Sequence, residues 1–84
     1  MTQYEKDLKA VKQNGYSLQF VKKQTPEICL AAVKQNGYSL QFVKNQTPEL
    51  LRDMIDNNIP IIRKYININL NLLPDDIQLW LEMQ

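Results

Sequence analysis

Residue types that could support catalysis are scarce in this sequence. Its 84 residues include no histidine and a single cysteine, Cys29. The only two serines, Ser17 and Ser39, occupy copied positions in a repeat. Nucleophilic catalysis requires a nucleophile beside a general base, and no such pair can be assembled here. The sequence therefore predicts a protein that is not an enzyme.

Metal and cofactor binding have equally little support. Asp75 and Asp76 are the only adjacent carboxylates, and their position after Pro74 fits the first turn of a helix, where negative charge is stabilised. The chain has no EF-hand spacing and no glycine-rich phosphate loop, and Gly15 and Gly37 are its only glycines. We expect neither a metal nor a cofactor.

Cellular location is predicted from cysteine usage and hydropathy. Cys29 falls among apolar residues at helical spacing, so we expect a small buried hydrophobe, as in a reducing compartment. No apolar run reaches the length of a signal peptide or a membrane span. A cytoplasmic protein with no membrane contact is the expectation.

The net charge of +1 conceals a strong asymmetry. Residues 1–45 carry a net charge of +4, whereas residues 46–84 carry −3. A total near zero argues against a dedicated nucleic-acid binder. A charge dipole of this kind could orient a partner or favour head-to-tail self-association, and a chain this small often gains stability from association, so a homodimer is an open alternative.

A tandem repeat with a 22-residue offset organises the chain. Residues 10–27 and 32–49 are identical except that Lys23 is replaced by Asn45. Thr25 and Thr47 are predicted helix N-caps, each followed by a proline at the first helical position. The Asn-Gly pairs at 14–15 and 36–37 are predicted to end the preceding helices, with the glycine in the left-handed conformation.

After each glycine the sequence Tyr-Ser-Leu-Gln-Phe predicts a second, shorter helix. A strand is the competing interpretation, because apolar and polar residues alternate there and Asn-Gly is a strong hairpin signal. We favour the helix, since a solitary short strand in each unit would lack partners. The predicted fold is therefore all-α: short αα-hairpin repeats stacked into a small, single-domain, solenoid-like bundle over residues 1–84.

The three units are predicted to be about 3–24, 25–46 and a diverged 47–84. In the third unit, the helix from Pro48 should run to Asp56, and Pro60 should open a short helix over residues 61–66. Residues 67–71 are predicted to form a linker. Pro74 should then start a last, strongly apolar helix. Terminal units of repeat arrays are expected to be atypical because they cap an open core.

Residues 25–43 closely resemble a bacterial and viral family of short tandem helical repeats classified as a domain of unknown function. With the neighbouring half-units, the resemblance covers roughly residues 8–55. It implies the helical-repeat fold and carries over no activity or catalytic residue. In size and in its lack of enzymatic residues the chain is similar to small inhibitors carried by phages and mobile elements, including anti-CRISPR proteins.

Two interpretations of the repeated lysines and aromatics remain open. Lys12, Tyr16, Phe20 and Lys22 recur as Lys34, Tyr38, Phe42 and Lys44 and could form a basic, aromatic nucleic-acid surface. We favour the alternative in which the aromatics form the core and the lysines a solvated ridge. The repeated glutamines either bond exposed backbone groups or form a contact strip. Trp80 either caps the core or anchors an interface.

The leading functional hypothesis is a protein-binding module. Its specific form is an anti-CRISPR-like inhibitor of an RNA-guided nuclease or another defence enzyme. The alternatives are a nucleic-acid-binding accessory protein that uses the basic N-terminal half, or a structural fragment of a longer repeat protein. The candidate partner-binding residues are Lys12, Gln13, Lys22, Lys23, Lys34, Gln35, Lys44 and Trp80.

Overall fold

Short helices account for all the regular secondary structure in the computed structural model, which describes residues 1–83. The α-helices are α1 (Gln3–Gln13), α2 (Pro26–Gln35), α3 (Pro48–Asp56) and α4 (Asp75–Glu82). The 3-10 helices are Gly15–Phe20, Gly37–Phe42, Arg63–Tyr65 and Leu70–Leu72. Residues 1–83 contain no strand, so the predicted all-α class is confirmed and the strand alternative for Tyr-Ser-Leu-Gln-Phe is wrong.

The helix starts follow the predicted capping chemistry. The hydroxyl oxygens of Thr25 and Thr47 accept hydrogen bonds of 3.2 Å from the backbone N–H groups of Ile28 and Leu50. Each threonine is followed by a proline in the first turn, where an N–H would have no partner within the helix. Thr2 caps α1 in a reciprocal capping box with Glu5. The two repeats therefore start their α-helices in the same way.

The Asn-Gly pairs end α1 and α2 as predicted but with a different backbone geometry. Neither glycine has a positive φ, so the predicted left-handed conformation is wrong. Asn14 and Asn36 are extended instead, and their side-chain oxygens cap the 3-10 helices that follow. Gly15 is needed for close approach, because a Cβ atom there would lie 2.6 Å from the carbonyl oxygen of Ala32.

The third unit departs from the first two. The helix predicted over residues 61–66 is reduced to the single turn Arg63–Tyr65. The predicted linker over residues 67–71 contains part of a further turn, Leu70–Leu72. Helices α3 and α4 begin and end close to the predicted positions. The third unit has no Asn-Gly pair after its α-helix. The chain turns there at Asn58 instead, which takes the left-handed backbone conformation with φ of 57°.

The core is aliphatic rather than aromatic. Fully buried side chains such as Leu18, Leu40 and Leu51 come from successive units. The predicted aromatic core is wrong for Tyr16, Phe20 and Tyr38, of which 38%, 78% and 52% remain exposed. Phe42 alone of the four repeated aromatics packs half-buried against the core. Every helical segment is short, so the branched aliphatic side chains of one face fill the narrow space between neighbouring segments.

Two glutamines, Gln24 and Gln46, here called the bridging glutamines, join successive units. The Nε2 atom of Gln24 donates to the carbonyl oxygens of Leu18 and Phe42, at 3.3 and 2.9 Å. Its Oε1 accepts from the backbone N–H of Lys44 at 3.0 Å. Each bridging glutamine bonds backbone groups in two consecutive units and so ties the end of one 3-10 helix to the next unit.

Gln46 repeats this arrangement one unit later. It donates to the carbonyl oxygens of Leu40 and Tyr65, at 3.1 and 2.8 Å, and accepts from the N–H of Asn67 at 2.9 Å. Helix α2 packs between α1 and α3, and the first two 3-10 helices pack on each other. The molecule measures 41 × 20 × 19 Å, with a radius of gyration of 12.6 Å, slightly above the roughly 12 Å expected for a spherical domain of this length.

Candidate functional site

A groove of about 490 Å³, here called the α2–α3 groove, opens beside the first turns of these two helices. Two of the predicted binding residues, Lys22 and Lys44, lie on its wall, although 22 positions separate them in sequence. The loops that follow the first and second 3-10 helices occupy equivalent positions in consecutive units and therefore bring both lysines to one opening. The remaining lining residues are Gln24, Pro26, Cys29, Asn45, Thr47, Glu49, Leu50 and Asp53.

The α2–α3 groove combines an apolar floor with a charged rim. Cys29 and Leu50 on the floor are only 5% and 7% exposed. Burial raises the pKa of the Cys29 thiol, which therefore stays neutral and behaves as an apolar group. The rim carries lysines on the loops and the carboxylates of Glu49 and Asp53 on α3. This arrangement suits a ligand with an apolar centre and charged flanks.

A second groove, of about 440 Å³, lies between α1 and α2. Lys12, Lys34 and Gln35 line it together with the half-buried Leu8 and Leu30. Both lysines come from the last turns of their helices, where positive charge is stabilised by the helix dipole. Three predicted residues therefore share a second site, separate from the groove that Lys22 and Lys44 line.

The polar residues at the edge of this second groove also have structural roles. The Oε1 atom of Gln35 accepts a hydrogen bond of 2.6 Å from the backbone N–H of Gly15. Glu27, on the wall of this groove, accepts a hydrogen bond from the phenol of Tyr4 and raises its pKa. The side-chain oxygen of Gln35 thus holds the first 3-10 helix against α2, which agrees with the predicted backbone-bonding role of the repeated glutamines.

The three remaining candidates lie outside both grooves. Gln13 lies on α1 beside Lys12, at a shallow depression of about 400 Å³. Lys23 is exposed on the loop after the first 3-10 helix. Trp80 is half-buried against the core on α4, at the acidic end of the chain. The predicted set therefore forms no single surface, and Lys22 with Lys44 and Lys12 with Lys34 are its two clusters.

An aromatic row, formed by Tyr16, Phe20, Tyr38, Phe42 and Tyr65, follows the 3-10 helices. The ring of Tyr16 meets that of Phe42 edge-on at 5.8 Å, and the ring of Tyr38 meets that of Tyr65 at 6.1 Å. Each pair joins one unit to the next, and Tyr16 and Tyr38 are the members that belong to the earlier unit. The Nζ atom of Lys64 lies 5.3 Å from the ring centre of Tyr65, within cation–π distance.

Sequence reasoning missed the bridging glutamines. Gln24 and Gln46 precede the Thr-Pro pairs, and their recurrence one repeat apart was the available signal. Their function could not be predicted from this signal, because the groups they bond lie between 5 and 21 positions away. The Oε1 atom of Gln24 also lies 3.9 Å from the Cys29 sulfur, so this glutamine connects the loop to the floor of the α2–α3 groove.

The comparison with protein families identifies the repeated segment. The model of a family described as a domain of unknown function (DUF4116) matches residues 8–50, about half of the chain. The chain belongs to the DUF4116 family. The DUF4116 segment contains both bridging glutamines and every predicted binding residue except Trp80. No curated protein and no solved structure matches this chain.

The described residues contain neither a membrane-spanning helix nor a cluster of metal ligands. Within residues 1–83, no helix combines the length and apolarity that crossing a bilayer requires. The same residues contain no group of three or more acidic or cysteine side chains placed to hold a metal ion.

Proposed function

We propose that this chain is a non-enzymatic, cytoplasmic protein-binding module and that the α2–α3 groove is its principal contact site. The observation that carries the proposal is the convergence of Lys22 and Lys44 on one groove whose floor is Cys29 and Leu50. Protein interfaces combine an apolar centre with a polar rim, and the groove offers both within a small area. Its volume is sufficient for one or two side chains of a partner.

The charges on the groove define the partner segment. A carboxylate of the partner would lie beside Lys22 and Lys44, while a cationic group would lie beside Glu49 and Asp53. An apolar side chain between the two would fill the floor. Complementary charges of this kind increase the association rate and fix the orientation of a bound segment. The partner is therefore expected to present an apolar residue between an acidic and a basic one.

The specific form of the proposal is an inhibitor of an RNA-guided nuclease or another defence enzyme, similar in kind to anti-CRISPR proteins. The lack of a histidine among these 84 residues supports a function by occlusion rather than by chemistry. Such an inhibitor needs only a rigid surface that blocks a site on the larger enzyme. The groove and its lysines provide this surface.

The test is a pull-down from the source organism with a groove variant and a matched control. Lys22→Glu/Lys44→Glu reverses both lysines of the groove, whereas Lys6→Glu/Arg63→Glu makes the same change in net charge outside it. We expect the first variant to lose the partner, identified by mass spectrometry, and the control to retain it. Cleavage by a captured nuclease should be inhibited by the native chain and by the control, and not by the groove variant. Equal capture by both variants would exclude the groove.

We also propose that the units stack in a solenoid-like manner, which would make the groove a feature of consecutive repeats. The bridging glutamines support this reading, because Gln24 and Gln46 make matching hydrogen bonds to successive units. The Tyr16–Phe42 and Tyr38–Tyr65 contacts recur in the same direction. In a longer chain, each added unit would then add a similar groove.

A second candidate function, binding of single-stranded nucleic acid, is favoured by one specific observation. Phe20 and Tyr38 of the aromatic row are largely exposed, and Lys23 and Lys44 are exposed on the neighbouring loops. Exposed rings can stack on bases while lysines contact phosphates. Binding to a single-stranded RNA should then weaken steeply with salt, and Tyr38→Ala should reduce it. RNA binding that is unaffected by salt, or absent at low salt, would exclude this second candidate and favour the protein-binding function.

A further inference from the structure

At the N-terminal end of the molecule, Phe20 lacks the edge-on aromatic contact that joins the later units. Tyr16 covers Phe42, and Tyr38 covers Tyr65, each from the preceding unit. Phe20 occupies in the first unit the position that Phe42 occupies in the second. Among the described residues no ring lies against Phe20, and 78% of its side chain is exposed. Among the described residues, the ring of Phe20 is therefore the uncovered counterpart of the ring of Phe42.

The backbone of the same segment also lacks, among the described residues, the glutamine hydrogen bonds that are present in the second unit. In the second unit, the carbonyl oxygen of Phe42 and the N–H of Lys44 are both bonded by Gln24. The equivalent groups in the first unit belong to Phe20 and Lys22, and the residue in the position of Gln24 is Thr2, which caps α1 instead. No glutamine within residues 1–83 bonds these two groups. An apolar ring and two backbone groups are thus left available at one place.

The opposite end of the molecule presents apolar side chains beside carboxylates. Leu72, Leu79 and Met83 are 71%, 58% and 68% exposed on and near α4. Asp75 and Glu82 lie exposed on the same helix. Patches of apolar side chains rimmed by charge are typical of interaction surfaces. Among the described residues, the large apolar side chains that are more than half exposed are Met1, Phe20, Leu72, Leu79 and Met83 in the first and last segments and Tyr38 between them.

The two ends carry opposite charge. Residues 1–23 contain five lysines against Glu5 and Asp7, a net side-chain charge of +3. Residues 66–83 contain three carboxylates, Asp75, Asp76 and Glu82, and no basic residue, a net charge of −3. The molecule is 41 Å long, about five times the screening length of roughly 8 Å at physiological salt. Each end therefore acts on a neighbour as a separate charge.

We propose that copies of this chain associate head to tail, with the basic N-terminal end and Phe20 of one copy against the acidic α4 end of another. Two like ends would repel each other, which disfavours a symmetric contact through either end. A contact between unlike ends is heterologous, so it can be extended by further copies. The partner on this surface is a second copy of the same chain, and the α2–α3 groove is not part of it.

The test combines charge reversal at each end with mixing. The head variant Lys9→Glu/Lys23→Glu and the tail variant Asp75→Lys/Glu82→Lys each place like charges at both ends of the chain. Sedimentation velocity over a concentration series should show association of the native chain at low salt and its loss at high salt. Each variant alone should associate at least about tenfold more weakly than the native chain. An equimolar mixture of the two should recover association, because the reversed head again meets an oppositely charged tail.

Two further variants make the outcome decisive. Phe20→Ser should weaken association without changing the circular dichroism spectrum or the melting temperature, because its ring is exposed. Arg63→Glu/Lys64→Glu changes the net charge as the head variant does but lies outside residues 1–23 and 66–83, and it should associate like the native chain at the same salt. A native chain that stays monomeric up to millimolar concentration at low salt, or a mixture that fails to recover association, would overturn the proposal.

Discussion

The backbone N–H of Gly15 donates a hydrogen bond of 2.6 Å to the side-chain oxygen of Gln35, twenty residues away. This bond holds the start of the first 3-10 helix against the end of α2. A Cβ atom at Gly15 would lie 2.5 Å from the hydroxyl oxygen of Ser39 and 2.6 Å from the carbonyl oxygen of Ala32. The two segments can approach this closely only because position 15 has no side chain.

Gly15→Ala should therefore destabilise the protein by about 1–3 kcal/mol, the usual cost of forcing a methyl group into a filled space. Its φ is not positive, so the loss comes from the clash and from separation of the two segments, not from backbone strain. The free energy of unfolding from urea denaturation measures it. Gly37→Ala is the matched control, because its nearest atom, the carbonyl oxygen of Pro60, lies at 3.2 Å and the cost should be smaller. Equal losses would contradict this explanation.

The bridging glutamines should contribute more stability than any other polar side chain. Gln46 is 5% exposed and makes three hydrogen bonds, so Gln46→Ala leaves backbone groups of Tyr65 and Asn67 without a partner. At about 1 kcal/mol for each bond, the expected loss is roughly 2–3 kcal/mol by urea denaturation. Gln24→Ala should cost somewhat less, because Gln24 is only half-buried.

Gln41→Ala provides the control for both variants. Gln41 is exposed and makes a single side-chain bond, to the carbonyl oxygen of Tyr38. Its removal should change the free energy of unfolding by less than about 0.5 kcal/mol. Hydrogen exchange should also show that Gln46→Ala releases the N–H of Asn67 while that of Lys44 stays protected. A Gln46→Ala loss as small as that of Gln41→Ala would mean that the hydrogen bonds of Gln46 do not stabilise the contact between the units.

Local signals were sufficient to predict the helices of the first two units and the two α-helices of the third, and non-local contacts were not predictable from them. The Thr-Pro caps and the Asn stops depend on neighbours within four positions, and they occur as predicted. The bridging glutamines and the close approach of Gly15 join residues about twenty positions apart. Periodicity marks these residues as repeated without showing what they touch. For the same reason, the sequence did not predict that Lys22 and Lys44 line one groove while Lys12 and Lys34 line another.

Phe20 and Phe42, identical in sequence context, should respond differently to substitution. Phe42 is half-buried and meets Tyr16 edge-on, whereas Phe20 is 78% exposed. The sequence predicted both as core because large apolar side chains are usually buried, but here aliphatic side chains already fill the space between units. Phe42→Ser should cost about 2–3 kcal/mol and Phe20→Ser less than about 0.5 kcal/mol. Equal losses of free energy of unfolding in the two variants would mean that Phe20 is part of the core in the same way as Phe42.

Tyr16 and Phe42 should also be coupled in a double-mutant cycle. Edge-on aromatic pairs contribute about 0.5–1.5 kcal/mol beyond the area they bury. The cost of Phe42→Ala should therefore be smaller by that amount in a Tyr16→Ala background. The pair of Phe20 with Tyr16 shows no such contact and provides the reference cycle, which should give no coupling. Additive losses for Tyr16 and Phe42 would mean that their edge-on contact contributes no stability.

Cys29 should make the stability of the protein depend on pH in the alkaline range. Burial raises the pKa of its thiol above its ordinary value of 9.0, whereas the thiol of the unfolded chain ionises near that value. Its contribution is therefore complete below about pH 8 and is lost as the pH rises from 9 through the folded pKa. Cys29→Ala should remove this decline, measured as the free energy of unfolding at pH 7–10. Tyr4, whose pKa is raised by its hydrogen bond with Glu27, ionises alike in both proteins and cancels in the difference. A decline of the same slope in Cys29→Ala would place its origin in another group and would mean that the thiol on the groove floor is hydrated.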